Sequence, residues 1–297
     1  MSSIARAWIM FAPDRWGQID KFHKFWSPTY EFASRDQRAL TGVRAHFDKA
    51  IRLVRLAERL RPNLRRDIDQ LNKNGFTPAE HARELATIIE AAILELYSSI
   101  DCTVKVLRAV YGPGTKGFQD STRKTFQKPH RMQVTFPDEL KAQLVGATWY
   151  GRLQRLRDDL THLDTGHVHL DEGSDAVRYS HYGMKEGAAP LTIPNVFAWF
   201  FELFEQVNSF LGAIFHHLNA TLKDEPVFQM CGMVDGRVLH RYVSPVGNLT
   251  FDSGSCGAWI WFERPENPSC PFKDQCGAYS RKAPPQGWET DATALDS

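Results

Sequence analysis

The stretch ELATIIEAAILELYSSIDCTVKVLRAVYG, residues 84–112, sets the architecture of the chain. Leu85, Ile88, Ile89, Ala92, Ile93, Leu96, Ile100, Val104, Leu107 and Tyr111 recur at three- and four-residue intervals. That spacing lines one face of a long amphipathic helix. Just ahead, Thr77-Pro78-Ala79-Glu80 offers a capping threonine, a proline in the first turn and a glutamate three residues after the cap. YGPG at 111–114 stops the run.

Working outward, Phe47, Ile51, Val54, Leu60, Leu64, Ile68 and Leu71 predict an earlier helix over about 42–73. Pro62 should kink or split it, and NKNGF at 72–76 breaks it. A third helix is expected after Pro137, with Leu140, Leu144, Leu153, Leu156 and Leu160 as its seam, ending near Asp164–Gly166. A fourth spans about 195–222 on Phe197, Phe200, Phe201, Phe204, Val207, Leu211, Ile214, Phe215 and Leu218. Between the third and fourth, alternation over 167–171 and 176–182 around EGSD predicts a short β-hairpin. The expected class is therefore mainly α, a bundle of four long helices.

The flanks differ from this core. Residues 1–40 carry Trp8, Phe11, Trp16, Phe22, Phe25, Trp26, Tyr30 and Phe32 without periodicity, so an irregular aromatic arm is expected there. The helical domain is assigned to 41–225. Residues 226–280 hold strand-like halves around Asp235-Gly236 and two further short strands in LTFDSGSCGAWIWFE, which reads as a small β appendage. Residues 281–297 read as a disordered tail.

Composition narrows the function classes. The 297 residues carry a net charge of +1, so any anionic partner must be held by local patches. MSSIARAWIMFAPDRW lacks the apolar run of a secretory signal, and VFAWFFELFEQVNSFLGAIF is interrupted by Glu202, Glu205, Gln206 and Asn208. No membrane association is expected. Five cysteines, an odd number, point to a reducing compartment, and a cytoplasmic location is expected.

Chemistry concentrates in RLQRLRDDLTHLDTGHVHL, residues 152–170. A helix turns about 100° per residue, so Arg157 and His162 sit roughly 140° apart and do not share a face within one helix. The pair works if the helix ends there, or if two copies meet across a dimer axis. In the last turn His162 feels the negative end of the helix dipole, and Asp158, four residues earlier, is expected to reach its ring. Arg157 supplies a fork-shaped cation suited to phosphate.

RDDLTH at 157–162 resembles the Arg–polar–x3–His signature of the HEPN superfamily of helical nucleases, and its setting on the third long helix agrees with that family. The similarity covers roughly residues 42–222, as pattern and architecture. It implies a homodimer whose paired motifs form one cleft and cut RNA, tRNA among the possible targets, by attack of the ribose 2′-OH without metal. Family members often act as toxins or in antiphage defence and abortive infection, which would bring an antitoxin or sensor partner. By the resemblance Arg157 contacts phosphate, His162 is the acid/base and Asp158 orients it. Arg152 and Arg155 on the same helix, with Lys116, Arg123, Lys124, Lys128, His130 and Arg131 in the long polar loop 112–135, are the candidate RNA contacts.

Two other readings stay open. The domain could be a HEPN-like module that binds a nucleotide or protein without catalysis. It could also be a metal-dependent hydrolase, because His167 and His169 share one side of the expected strand and His181 joins them if the hairpin loop has odd length. No cofactor is required by the first reading. A structural zinc on Cys231, Cys256, Cys270 and Cys276 could tie the β appendage together, but no Cys-x2-Cys knuckle is present and CPFKDQC is wider than the common spacing, so buried thiols are the plain expectation. Cys102, beside the stripe of the 84–112 helix, is expected in the core.

Overall fold

A computed structural model describes residues 7–119, 121–132 and 135–282. The elements in chain order are strand β1 (Ala7–Ile9) and helices α1 (Gln18–Phe25), α2 (Ser34–Leu60), α3 (Leu64–Asn74), α4 (Glu80–Tyr111), α5 (Thr122–Gln127), α6 (Asp138–Gly146) and α7 (Tyr150–His162). Strands β2 (His167–Leu170), β3 (Val177–Glu186) and β4 (Ala189–Ile193) follow, then helix α8 (Val196–Ala220). Strands β5 (Val227–Val234), β6 (Arg237–Val243) and β7 (Ser255–Cys256) and two single-turn helices, α9 (Trp259–Phe262) and α10 (Gly277–Ser280), complete the chain. The protein is mainly helical with two small antiparallel sheets. No helix among the described residues is long and apolar enough to cross a membrane.

The chain divides into two units, 32–214 and the described residues 7–31 with 215–282. Of the arm expected over 1–40, the described residues 7–31 therefore group with those expected as an appendage, 32–40 belong to the central unit, and the second boundary falls inside α8. The tail beyond residue 282 lies outside the described residues.

In the central unit α4 is the axis. Leu85, Ile89, Ile93, Leu96, Ile100, Val104 and Leu107 are all inaccessible to solvent, and α2 packs along α4 more extensively than any other pair of helices meets. The expected helix over 42–73 starts earlier, at Ser34, and Pro62 splits it through a 3-10 turn into α2 and α3. Gly75 ends α3 in the left-handed region at φ 70°, its N–H donating to Leu71 O at 2.8 Å, a conformation that only glycine adopts cheaply.

The start of α4 differs from the expected cap. Thr77 Oγ1 accepts from Ala79 N at 3.1 Å, and Ala79 is itself left-handed at φ 54°. The helix begins only at Glu80. Its first turn is capped in trans, by the buried Asp67 of α3, whose Oδ2 accepts from Ala82 N at 2.9 Å. The expected third helix is two. The backbone leaves α6 at Ala147 (φ −78°, ψ 61°), and Thr148 N turns back to Gly146 O at 2.8 Å. The break lets Trp149 meet Phe210 edge-on at 5.8 Å while Tyr150 turns inward to stack on Phe126 at 3.7 Å. The polar loop 112–135 is correspondingly anchored by α5, with Ser121 Oγ accepting from Lys124 N at 3.2 Å.

The expected hairpin gains a third strand, giving the order β2-β3-β4. It is tied to α4 through Glu90, whose Oε1 accepts from Gly166 N at 2.5 Å and from the Tyr179 hydroxyl at 3.0 Å. A side chain on Gly166 would run into the Tyr179 ring, so this crossing depends on glycine. Burial raises the Glu90 carboxyl above its ordinary range, opposed by those two hydrogen bonds and by His181 and His167 nearby.

In the other unit β1-β5-β6-β7 form an antiparallel sheet. β1 lies in register with β5, Trp8 opposite Met233. Phe11 and Phe25 pack with Val227 and Val243, so the N-terminal aromatics build this unit's own core. Trp8 is an exception and is exposed.

Asp67→Ala removes the cap of α4 and should cost about 1–2 kcal/mol in denaturant melts. For Glu90 the folded state holds its proton to higher pH than the unfolded chain. Its contribution is therefore complete below the ordinary carboxylate range, about pH 4, and is lost as pH rises through the raised value. Glu90→Gln keeps the acceptor oxygen, so the Tm advantage of the variant over wild type should grow between mildly acidic and neutral pH. A difference in Tm that does not change with pH would contradict this assignment.

Candidate functional site

α7 buries Tyr150, Leu153, Gln154 and Leu156 and leaves Arg157 and Asp158 about one-third exposed, at 34% and 32%. It ends at His162, short of the Asp164–Gly166 expected from the sequence. Leu163 N donates to Asp159 O at 2.8 Å as the chain leaves the helix. The imidazole of His162 is exposed at the negative end of the helix dipole.

Arg157 lies over the Tyr97 ring of α4, 5.0 Å from its centroid, and its Nη1 donates to Asp158 Oδ1 at 3.0 Å. A cation above an aromatic face with a carboxylate at its edge has a fixed plane. Below it the Tyr97 and Tyr150 hydroxyls share a hydrogen bond of 3.2 Å. Burial holds both phenols above their ordinary range, so they remain protonated at neutral pH. Asp101, one turn along α4 from Tyr97, accepts from Thr122 Oγ1 at 2.5 Å and pairs with Lys105 at 2.6 Å. Burial alone would raise this carboxyl; the bonds from Lys105 and Thr122 outweigh it and hold Asp101 below its ordinary value.

The expected contact between Asp158 and His162 is not made. The Asp158 carboxylate accepts from Gln154 Nε2 and from Arg157, and among the described residues no hydrogen bond joins it to His162. Helical side chains lean toward the N-terminus, so Asp158 reaches back one turn to Gln154 rather than forward. Nor are Arg157 and His162 brought together within one chain, as their angular separation requires.

Of the basic residues singled out, only Arg123 approaches this cluster, its Nη1 4.0 Å from Asp158 Oδ2 with the side chain 60% exposed. Arg152 is engaged elsewhere, donating to Glu186 Oε2 at 2.9 Å. Arg155, Lys116, Lys124, His130 and Arg131 are exposed and Lys128 is half-buried.

The hairpin-histidine alternative fails on register. β2 pairs with β3 so that His167 faces Ser180 and His169 faces Arg178, and the connecting loop 171–176 has even length. His181 therefore lies on the opposite face from His167 and His169. It is fully buried. Its Nε2 lies 3.1 Å from Asp164 O, and its Nδ1 accepts from Met184 N at 3.0 Å, so neither ring nitrogen is open to a ligand. Among the described residues no three His, Cys, Asp or Glu side chains stand where they could hold a metal ion.

Tyr97, Asp101, Gln154 and Glu90 went unremarked in the sequence. A tyrosine and an aspartate one turn apart beside an otherwise apolar stripe were the signal available for the first two. No family model matches the chain, and neither the curated proteins nor the solved structures give a match.

His181→Ala leaves the Met184 N–H and the Asp164 carbonyl without partners and should destabilise the protein by about 1–3 kcal/mol. His167→Ala and His169→Ala should stay within about 0.5 kcal/mol of wild type. Equal costs at all three positions would count against the register.

Proposed function

We propose that the chain is a metal-independent endoribonuclease of HEPN type that cuts RNA by attack of a ribose 2′-OH on the adjacent phosphate. The observation that carries this reading is the end of α7: an arginine whose plane is fixed by Tyr97 and Asp158, and an exposed histidine five residues on, in the last turn. Because the two side chains point apart, the working cleft is formed with a second copy, His162 of one chain serving beside Arg157 of the other. His162 takes the 2′-OH proton, and the attacking oxygen bonds to phosphorus. The imidazolium of the second chain's His162 gives a proton to the leaving 5′-oxygen as its bond breaks, which yields a 2′,3′-cyclic phosphate and a 5′-OH. Arg157 neutralises the charge that builds on the pentacoordinate phosphate.

Asp158 has a different part in this mechanism from the one the resemblance assigns. Its partners make it the residue that aims Arg157, with Gln154 holding it in turn. Arg123 stands where it would meet the RNA backbone next to Arg157.

One observation favours a second reading, a non-catalytic module that binds a nucleotide or protein as a dimer. Arg157 is already paired and stacked, as a purely architectural arginine would be.

The two readings separate on end-labelled tRNA and total RNA incubated in EDTA with wild type, His162→Ala and Arg157→Ala at equal folded concentration. The nuclease reading expects cleavage to 2′,3′-cyclic phosphate ends, slowed by about 100-fold or more in each variant. Cleavage that survives both substitutions would assign the activity to something other than this site. Binding of RNA or nucleotide without cleavage in any condition would favour the module.

A further inference from the structure

Beside the Arg157 cluster the central unit has an open cleft of about 370 Å³. It lies between α5 with the 3-10 turn Pro129–Arg131 and the end of α6 with the start of α7. That volume suits a small flat ligand, since such sites run from roughly 300 Å³ upward. Much of the wall is apolar. Phe126 and Tyr150, stacked on each other at 3.7 Å, meet Leu144 and Val145 there, and Val145 is 67% exposed.

One polar group of the cleft is only half used. Gln154 lines it and is 6% exposed. Its Nε2 donates to the Asp158 carboxylate, which fixes the orientation of the carboxamide and leaves Oε1 for the cleft. Among the described residues nothing donates to that oxygen. A largely buried acceptor without a partner is unfavourable, and a ligand that brings an N–H relieves it.

Gly151, the second residue of α7, lines the same cleft. A Cβ there would meet nothing within 4 Å, and φ is not in the left-handed region, so neither packing nor backbone calls for glycine. Glycine weakens a helix relative to alanine. What its missing side chain does at this position is keep the cleft open.

We propose that the cleft is the base pocket of the RNA site, an assignment that rests on the RNA-cutting reading above. It takes one unpaired nucleobase carrying an exocyclic amine. The amine donates to Gln154 Oε1 while the ring lies against the Phe126–Tyr150 pair. The Asp158 carboxylate joins this pocket to the reaction centre, one oxygen accepting from Gln154 and the other from Arg157. Base and phosphate are thus received on either side of one carboxylate. Gln154 Oε1 and the carboxylate behind it repel a carbonyl. Adenine, cytosine and guanine can turn an amine toward them, whereas the single ring N–H of uracil is flanked by two carbonyl oxygens.

The test measures binding apart from cutting. Hexamers of 2′-O-methyl adenosine, cytidine and uridine have no free 2′-OH and cannot be cleaved by the proposed route. Their affinities for the full chain are compared by fluorescence anisotropy at one salt concentration. The adenosine and cytidine hexamers should bind about 3–10-fold more tightly than the uridine hexamer, as one satisfied hydrogen bond implies. Gly151→Phe fills the cleft without altering Arg157, Asp158 or Gln154 and should erase that preference. A 5-iodocytidine placed in the hexamer should photocrosslink to Phe126, His130 or Tyr150, and this wild-type map decides if Gly151→Phe is insoluble. Equal affinity for the three hexamers, no binding of any, or a preference that survives Gly151→Phe overturns the proposal. So does equally tight binding of free adenosine and cytidine monophosphates, which would assign the cleft to a mononucleotide. Failure of the nuclease reading shows separately, as unmodified RNA left intact, and leaves the binding comparison readable.

Discussion

The interface between α2 and α4 is the constraint on which the central unit rests. α4 is 32 residues long, and its inward stripe from Leu85 to Leu107 is sealed from water. A rod of that length, fixed against α2, presents its remaining faces to several other elements. α3, α5, α7 and β2 all lie against it. The polar residues of α4 then become fixed points. Glu90 receives the Gly166 turn and Tyr179, Tyr97 carries Arg157, and Asp101 receives Thr122. A single apolar contact thus determines where the polar chemistry of the domain can stand.

The candidate site follows from the same geometry. Arg157 is held on two sides, by an aromatic face beneath and a carboxylate at the edge, and that carboxylate is held in turn by the amide of Gln154. Fixing the plane of a guanidinium in advance lowers the ordering cost of meeting a phosphate. The same carboxylate that aims Arg157 also withholds part of its charge. An anion that displaced Asp158 would have to offer more than one oxygen in the plane of the fork, which a phosphodiester does.

Much of the architecture was legible in the sequence, because the helices announce themselves by periodicity. The stripe of α4, the split at Pro62 and the stop at Gly75 all follow from local rules. What escaped was set by partners distant in sequence. Thr77 had the look of a cap, yet Asp67 of the preceding helix supplies the bond. The break at Ala147 serves Trp149 and Tyr150, whose partners Phe210 and Phe126 lie on other helices. At the site, spacing identified Asp158 but misassigned its contact, since a count of four residues ignores the direction in which helical side chains lean. The third strand β4 and the burial of Arg241 beside Cys231, Cys256 and Cys276 required the sheet registers, which no local pattern encodes.

The joining of the two chain ends in one unit also bears on how the protein is made. β1 finds its partner strand only when β5 has been synthesised, and Phe11 and Phe25 wait for Val227 and Val243. The contacts of the central unit, by contrast, lie within 32–214 and are complete before β5 emerges. On the ribosome, the aromatic segment around Phe11 and Phe25 therefore stays uncovered until β5 and β6 are made, while the helices between have all they need to close. Pairings of such long sequence separation form slowly, and apolar segments left exposed meanwhile invite association with other chains. A ribosome that stalls before residue 227 thus releases a chain with its first aromatic cluster unburied, a natural substrate for chaperones and proteases.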